Sequence, residues 1–457
     1  MDTIPPTPPA PPSNGSGSWI RRSMTLRVAL IAVMALLMLI PLSMVESLIH
    51  EREWTKQSAQ QEVSATWGGP QVVTGPVISV PYETQVRVES TEGGGRYELR
   101  NVIAHAHFLP ETLDIATDLE PEKRKRGIYE VVVYRGSITL SGKFKPLSAN
   151  DLDLNDRLRW ADATMTVGVS DLRSIRSAVT MRLGQRELAF EPGAPSSDVV
   201  GTAVQAPLSL ADGAMDQELP FTMSLQLNGS SSLRLSPVGR VTTASLVSTW
   251  PDPSFQGAFL PDSSKIDDQG CSARWTVLHL NRPYPQQFTG SRAYQIQESA
   301  FGLDLILPVD EYRKSSRAAK YGLMLITLVF TVFFFVEVLQ RMRIHPIQYL
   351  LVGLALTIFY ALLIALSEHV GFGAAYAIAA VAVVGLVVFY AASVFRMPRA
   401  TRLLAMVLVL VYGFVLTIIH QEDYALLMGS IGLFIVLAVV MALARKIDWY
   451  NVRGDRP

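Results

Sequence analysis

Six stretches of the chain are apolar and long enough to cross a membrane as helices. The first runs from Val28 to Val45, and five more follow closely near the carboxyl end. A helix of about 20 apolar residues spans the roughly 30 Å hydrocarbon core of a bilayer. The later spans are predicted at Tyr321–Leu339, Ile347–Leu366, Ala374–Phe395, Leu403–Ile419 and Tyr424–Ala444.

The region between the first and second spans has a different pattern, in which apolar and polar residues alternate with a period of two. This alternation is typical of β-strands. Strands are predicted at Val72–Val80, Arg100–His107, Ile128–Leu140, Met165–Val169, Met223–Leu227 and Val241–Thr249. Turn clusters are predicted at Glu92–Gly95, Pro192–Pro195 and Asn228–Ser230, and a short helix at Asp171–Val179. Many short strands with frequent turns favour an antiparallel sandwich or two β-subdomains.

The two patterns predict an α+β membrane protein with six transmembrane helices. One amino-terminal anchor precedes a large β-rich, sandwich-like external domain, and a five-helix bundle follows it. The predicted parts are a disordered proline-rich tail at 1–20, a transmembrane helix at 26–47, the β-rich domain at 50–319, the bundle at 320–445 and a second tail at 446–457.

Basic residues are confined to alternate connections between the spans. Arg341 and Arg343 follow the second span, Arg396, Arg399 and Arg402 follow the fourth, and Arg445 and Lys446 follow the last. The connections 367–373 and 420–423 carry neither lysine nor arginine. Because connections rich in lysine and arginine stay in the cytoplasm, both termini are predicted there and the β-rich domain outside. The exceptions are four basic residues before the second span, namely Arg313, Lys314, Arg317 and Lys320.

The first apolar stretch could also be read as a secretory signal peptide. Such a peptide usually has an apolar core of about 7–15 residues with a small-x-small cleavage site close behind. Here the nearest triplet of that kind, Val63–Ala65, lies far downstream. An uncleaved anchor is therefore the preferred interpretation.

Composition excludes a fully soluble enzyme and narrows the possible partners. Only nine charged residues occur between Tyr321 and Ala444, too few to cover the surface of a soluble domain. Cys271 is the single cysteine, which excludes an intramolecular disulfide and a multi-cysteine metal site. No basic face with interleaved aromatics is present, so the bilayer and not nucleic acid is the expected partner. The oligomeric state stays open.

Familiar catalytic frames are missing from the sequence, and no catalytic residue, cofactor or metal is predicted. His105 and His107 share one face of a predicted strand and could begin a metal site, although ordinary strand positions are the preferred reading. The run Lys123–Arg126 could bind lipid headgroups or a partner, but a solvated turn is preferred.

Four polar residues of the bundle are candidate functional residues, and each also has a structural interpretation. Glu337 lies four residues before Arg341, as in a helical ion pair at the interface. Ionisable groups within spans are costly and often face the bundle interior, which gives the functional alternative. Glu368 and His369 end the third span and could relay protons, hold a ligand or cap the helix. His345 precedes Pro346 at a helix start and is expected among headgroups.

Small residues recur every four positions near the fourth span. Gly371, Ala375 and Ala379 form one row, and Gly373, Ala377 and Gly385 belong to a second row. Such spacing allows close helix approach and predicts a packed bundle or a self-association face.

Several longer segments of the chain are similar to one known family. They are Gly75–Pro81, His107–Glu111, Arg124–Tyr129, Trp250–Phe255, Phe259–Pro261, Ala319–Tyr321, His345–Gly353, Ser367–Phe372 and Asp448–Tyr450. Over roughly Val28 to Tyr450 the chain resembles the CreD family, also called the cell envelope integrity or colicin-tolerance family. The resemblance implies a bacterial inner-membrane component with a large periplasmic domain, under the control of a two-component regulatory system. It brings no catalytic residue or cofactor.

Three functions are compatible with these observations. The preferred one is a non-enzymatic protein of envelope integrity and stress response, whose periplasmic domain binds an envelope protein or lipid. The alternative is a transporter-like or lipid-handling protein that uses the bundle, although its ionisable groups lie near span ends and not near the midplane. The third is a periplasmic hydrolase without a recognisable motif.

Overall fold

The computed structural model describes residues 24–89, 97–147, 152, 158–210, 217–290, 294–307, 311–340, 342, 344–421 and 424–445. The predicted tails at 1–20 and 446–457 lie outside these residues, as do the turn at Glu92–Gly95, Arg341, Arg343, and the Glu422–Asp423 pair. The chain divides into two compact units. A membrane unit takes residues up to Thr55 and from Val309 onward, and a β unit takes Lys56–Pro308.

The helices lie mainly in the membrane unit. They are α1 (Met24–Leu37), α2 (Leu39–Trp67), α3 (Glu311–Lys320), α4 (Gly322–Leu339), α5 (Pro346–Val370), α6 (Phe372–Phe395), α7 (Pro398–His420) and α8 (Ala425–Ala444). Within the described ranges, five helical stretches are long and apolar enough to cross a membrane: Leu26–Trp67, Glu311–Leu339, Pro346–Val370, Phe372–Phe395 and Pro398–His420. A sixth, shorter apolar stretch is Leu427–Ala442 in α8. These helices and the β unit confirm the predicted α+β membrane fold.

The first helix is interrupted once and extends beyond the predicted span. The interruption falls at Met38, between α1 and α2. Pro41 has no N–H to donate to the carbonyl of Leu37, four residues earlier, which accounts for the break. Beyond the apolar span, α2 continues to Trp67, and the β-rich stretch begins at Gln71 instead of residue 50. Residues 51–67 contain neither glycine nor proline, and Gly68, Gly69 and Pro70 then end the helix.

Seventeen strands are present among the described residues. They are β1 (Gln71–Glu89), β2 (Tyr97–Phe108), β3 (Thr112–Arg126), β4 (Tyr129–Phe144), β5 (Thr164–Val169), β6 (Thr180–Leu183), β7 (Arg186–Ala189), β8 (Glu191–Pro192), β9 (Ala203–Pro207), β10 (Leu219–Ser230), β11 (Ser232–Leu235), β12 (Val241–Ser248), β13 (Pro253–Gly257), β14 (Ser263–Asp267), β15 (Gly270–Leu278), β16 (Gln287–Thr289) and β17 (Phe301–Leu305).

The strands form two sheets. The nine-stranded sheet has the order β13-β17-β11-β1-β5-β9-β8, with β2 on β1 and β16 on β2. The eight-stranded sheet has the order β14-β15-β12-β3-β4-β10-β6-β7. Two pairs, β1 with β11 and β3 with β12, are parallel. One hydrophobic cluster draws side chains from both sheets, including Ile78 and Met165 from the first and Ile138, Leu225 and Trp275 from the second. The β unit is therefore one sandwich around one core.

Two local predictions are wrong. Asn228–Ser230 is not a turn but the end of β10, paired with β4. Gly229 is needed there because a Cβ atom would lie 2.2 Å from the Tyr134 hydroxyl. The strand ends only before Ser231, which has a positive φ, and the chain then enters β11 of the other sheet. The predicted helix at Asp171–Val179 is a single 3₁₀ turn at Leu172–Ser174, after which Ile175 is extended.

Candidate functional site

The first helix packs into the bundle along one face. Ala35, Met38, Leu42, Val45 and Ile49 are buried at spacings of three and four residues, which place them on the same side of the helix. Two glycines make room for this face. A Cβ atom on Gly353 of α5 would lie 2.7 Å from the Met38 sulfur, and one on Gly322 of α4 would lie 2.4 Å from Leu42. The first helix is thus an integral part of the bundle.

Glu337 lies near the end of the bundle that carries the connections 340–345 and 396–397, here called the arginine end. Its carboxylate accepts hydrogen bonds from Arg27 Nη1 at 3.4 Å and from the Tyr349 hydroxyl at 3.0 Å. Only 6% of the Glu337 surface is exposed. The predicted partner, Arg341, lies outside the described residues. The cluster joins α1, α4 and α5, and Tyr349 is itself packed between the rings of Phe330 and Phe333.

Glu368 lies at the opposite end of the bundle, here called the Gly371 end. Its Oε1 atom accepts a hydrogen bond from the Tyr312 hydroxyl at 2.9 Å, and Arg52 Nε lies 3.8 Å away. Tyr312 belongs to α3, a helix that the sequence analysis did not predict. The first helix therefore supplies an arginine to a carboxylate at each end of the bundle.

The two candidate histidines of the bundle do not join these clusters. His345 caps α5, because its Nδ1 atom accepts the N–H of Ile347 while Gln348 accepts the N–H of His345. His369 is exposed in the last turn of α5. The four candidate residues are consequently divided between two ends, Glu337 with His345 and Glu368 with His369, and do not form a single site.

The two rows of small residues face in different directions. Ala375 and Ala379 are fully buried within the bundle. Gly373, Ala377 and Gly385 lie on the exposed side of α6, and nothing approaches within 4 Å of the two glycine positions. The first row accordingly serves packing inside the unit.

His105 and His107 share a face of β2, as predicted, and their rings lie 6.4 Å apart. His107 is completely buried, with Nδ1 3.0 Å from Ser79 Oγ and Nε2 3.3 Å from Asp198 Oδ2. Burial lowers the pKa of both histidines below 6.5, against the opposing effect of the Asp198 carboxylate. Sequence reasoning missed Asp198, which lies 91 residues from His107 in a segment without a motif.

The Ser79–His107–Asp198 arrangement has the residue types of a hydrolytic triad, but its serine hydroxyl is not accessible to a substrate. Ser79 is only 1% exposed and is the register partner of His107 on the neighbouring strand. The serine also contacts Nδ1, the nitrogen that contacts the carboxylate in serine proteases. A substrate cannot reach this hydroxyl. The network holds the segment around Asp198 against β2. Among the described residues, no three His, Cys, Asp or Glu side chains are placed to hold a metal.

The basic run Lys123–Arg126 is the end of strand β3 and not a solvated turn. The Arg124 guanidinium lies 3.6 Å from the centre of the Trp67 ring, and Arg126 pairs with Glu62. Lys123 and Lys125 lie 3.9 and 3.7 Å from the Glu130 carboxylate. The helix segment that ends at Trp67 thus contacts this part of the hairpin. The four basic side chains remain partly exposed, but each lies beside a carboxylate or an aromatic ring.

The family described as inner membrane protein CreD matches residues 23–450. A relative from Escherichia coli strain K12, described as inner membrane protein CreD, is 32% identical over 418 residues, covering 91% of each chain. The chain belongs to the CreD family. Like CreD, it is a multi-pass inner-membrane protein.

The CreD-like segments contain several of the contacts described above. Ser79 lies in Gly75–Pro81, and its partner His107 opens the segment His107–Glu111. Arg124, which stacks on Trp67, opens Arg124–Tyr129, and Glu368 lies in Ser367–Phe372. The segments that carry the resemblance to CreD therefore contribute to contacts within each unit.

Among solved structures, two forms of an M1 zinc metallopeptidase overlap with part of the chain. The one from Deinococcus radiodurans is 10% identical and covers 47% of this chain and 54% of its own, with a TM-score of 0.20. A two-domain form bound to tryptophan is 8% identical over the same shares, also with a TM-score of 0.20. Scores this low carry no inference about fold or activity.

Proposed function

We propose that this protein is a non-enzymatic inner-membrane component that supports the integrity of the bacterial envelope. In this proposal the β unit lies in the periplasm and binds another envelope component, and the helices anchor it. Both termini lie in the cytoplasm, because arginine-bearing connections alternate with connections that lack basic residues. Membership of the CreD family supports the inner-membrane location on which the proposal rests.

The observation that carries the proposal is the pairing of both bundle carboxylates with the first helix. Glu337 pairs with Arg27, and Glu368 lies beside Arg52. A transport path usually places ionisable groups and broken helices near the bilayer midplane. Here the carboxylates lie at the two ends of the bundle and hold the first helix to it. This arrangement favours a helix bundle that serves as an anchor. The binding of an envelope component is therefore attributed to the β unit.

The hairpin of β1 and β2 is the part of the β unit best suited to meet a partner. Leu99 and Ile103 lie on one face of β2, and each is 61% exposed. Between them Asn101 accepts a hydrogen bond from Gln85 across the hairpin. Their register partners on β1 are Arg87 and Glu83, so this face offers apolar and charged groups side by side to a partner. A protein of the envelope is the partner that this surface fits.

Photo-crosslinking in intact cells tests the proposal. A photoreactive amino acid is placed at Leu99 or Ile103 of the full chain, and at the exposed Leu280 as a matched control. The expected result is a discrete adduct with one envelope protein from the hairpin positions and none from the control. Recovery of no specific partner from either hairpin position contradicts the proposed binding role.

A complementation test connects binding with function. In a strain that lacks this protein, Leu99→Glu with Ile103→Glu is expected to raise outer-membrane permeability to detergent, at expression equal to wild type. Leu280→Glu is expected to protect fully. If both variants protect the envelope equally well, the hairpin is not required for the proposed envelope role.

The transporter-like or lipid-handling alternative makes the opposite prediction for the bundle. It requires Glu337 and Glu368 to act on a substrate. Conservative Glu337→Gln and Glu368→Gln variants, expressed and inserted like wild type, would then fail to protect the envelope. Protection at the wild-type level removes this alternative.

A further inference from the structure

A groove opens on the side of the bundle between α5 and α6. It has a volume of about 220 Å³ and is lined by Leu351, Val352 and Ala355 of α5 and by Leu386, Val387 and Tyr390 of α6. Leu351 and Leu386 border its opening and are about half exposed, at 47% and 54%. Apart from the tyrosine, the lining side chains are purely aliphatic. The groove therefore suits an apolar chain.

The groove lies at the arginine end of the bundle. Leu351 is five residues from the start of α5 and Tyr390 is five residues from the end of α6, so each is about 8 Å from its helix end. The connection that follows α6 contains Arg396, whose N–H closes the helix on the carbonyl of Ala392. Arg399 follows in the first turn of α7. The apolar groove and these two guanidinium groups thus lie at the same end.

The two arginines are available to an anion. Both are exposed, and neither forms an ion pair with a carboxylate in the described part of the chain. Tyr390 lies between the aliphatic lining and the arginines, a position suited to a side chain with an apolar ring and a polar tip. The order from the bundle middle to its end is aliphatic, aromatic and cationic. The same order, from chain to headgroup, describes an anionic phospholipid.

We propose that the groove between α5 and α6 binds an acyl chain of an anionic phospholipid, with the lipid phosphate at Arg396 and Arg399. Basic pockets beside transmembrane helices on the cytoplasmic side recognise such headgroups. The groove is lined by little more than one turn of each helix. This length fits an acyl chain better than a transmembrane helix from a second copy of the chain. This site is independent of the proposed role of the β unit.

The full chain in nanodiscs tests the proposal. Nanodiscs contain a photoreactive phosphatidylglycerol or a photoreactive phosphatidylcholine, and the labelled residues are identified by mass spectrometry. Wild type is expected to label at the groove, more strongly with phosphatidylglycerol. Ala355→Phe fills the groove and is expected to reduce labelling by both lipids at least ten-fold. Val381→Phe, on the exposed side of α6 outside the groove, is the matched control and is expected to label like wild type.

A second pair of variants tests the headgroup without altering the groove. Each basic residue near an anionic surface contributes about 1 kcal/mol, or roughly five-fold in affinity. Arg396→Gln with Arg399→Gln is therefore expected to reduce labelling by phosphatidylglycerol about 25-fold. Labelling by phosphatidylcholine should fall much less, because its choline cation offsets the charge of its phosphate. Arg445→Gln removes a basic residue following α8 and is expected to retain the preference.

Three outcomes overturn the proposal. One is equal labelling of wild type and Ala355→Phe at the groove. Another is an equal loss of preference in Arg445→Gln and in the double variant, which would show a general effect of positive charge. The third is efficient disulfide formation between copies that carry Leu351→Cys, which would assign the groove to a second copy of the chain.

Discussion

Arg27 Nη1 lies 3.4 Å from Glu337 Oε1, although 310 positions separate the two residues in the chain. Neither residue has another charged partner in the described bundle that explains its position. The pair joins the first helix to α4, and Tyr349 of α5 completes the cluster with its hydroxyl. A carboxylate that was a candidate for transport therefore has a clear structural role.

Removing one member of this pair is expected to destabilise the bundle. Glu337→Leu and Arg27→Met should each lower the free energy of unfolding by about 2 kcal/mol, because the remaining charge is left without its partner. The double variant should lose less than the sum. Unfolding of the full chain in mixed micelles, followed by the circular dichroism of its helices, measures all three. Arg402→Met is the control, since the partner of Arg402 among the described residues is the backbone carbonyl of Pro398. Additive losses would show that the pair is not coupled.

Substitution of Gly322 tests the packing of the first helix. Gly322→Ala places a Cβ atom 2.4 Å from Leu42 and 3.2 Å from the Tyr360 ring. Overpacking of this kind costs about 1–3 kcal/mol. Leu42→Ala should relieve much of that cost in the double variant, which the same unfolding measurement detects. Gly373→Ala meets no atom within 4 Å and should leave stability unchanged or raise it. Equal losses at the two glycines would contradict the described packing.

Acidification is expected to weaken the β unit through the buried His107 and the half-buried His105. Burial lowers the pKa of His105 and His107 in the folded chain below the unfolded value of 6.5. The unfolded chain then binds more protons than the folded chain, so the stability present above pH 6.5 decreases as the pH falls below that value. Tryptophan fluorescence of the full chain against denaturant, at pH 7.5 and at lower pH values, measures the loss. The variant His107→Asn should show a weaker pH dependence than wild type, and His279→Gln should match wild type. A pH dependence unchanged in His107→Asn would exclude this histidine as the cause.

The single thiol is expected to be unreactive in the folded chain. Cys271 is buried against the sandwich core, and burial raises the pKa of its thiol to about 11. Since the thiolate is the nucleophile, maleimide at pH 7 should label Cys271 slowly until the chain is denatured. Ser264→Cys, introduced with Cys271→Ala, places a thiol on the exposed strand β14 and should label rapidly. Fast labelling of native Cys271 would show that this part of the core opens.

The sequence predicted the elements of this fold better than their contacts. The spans followed from hydropathy and the strands from period-two alternation, because both depend on local composition. The extension of α2 to Trp67 was missed, since its residues 51–67 are polar and lack a clear apolar face. The helix α3 was missed because it is short and highly charged, although it buries one face that contains Tyr312, Ala318 and Ala319.

Contacts between side chains that are far apart in the sequence could not be predicted from residue spacing. Glu337 was paired in the prediction with Arg341, four residues away, because only local geometry can be inferred from a sequence. The structure supplies Arg27 and Tyr349 from two other helices. Similarly, the shared face of the two histidines followed from strand period, whereas the contact of His107 with Asp198 depends on the path of a loop.

The parallel pairing of β1 with β11 sets an order of events during synthesis. Gln71 pairs with Leu233, and β11 in turn pairs with β17, which ends at Leu305. The nine-stranded sheet cannot be completed until nearly the whole β unit has left the ribosome. The ion pair of Arg27 with Glu337 can form only after a further stretch of the chain has been synthesised. At 5–20 residues per second, 310 residues correspond to roughly 15–60 s. During that interval the first helix is in the membrane before Gly322 and Gly353 have been synthesised, and β1 lacks its parallel neighbour β11.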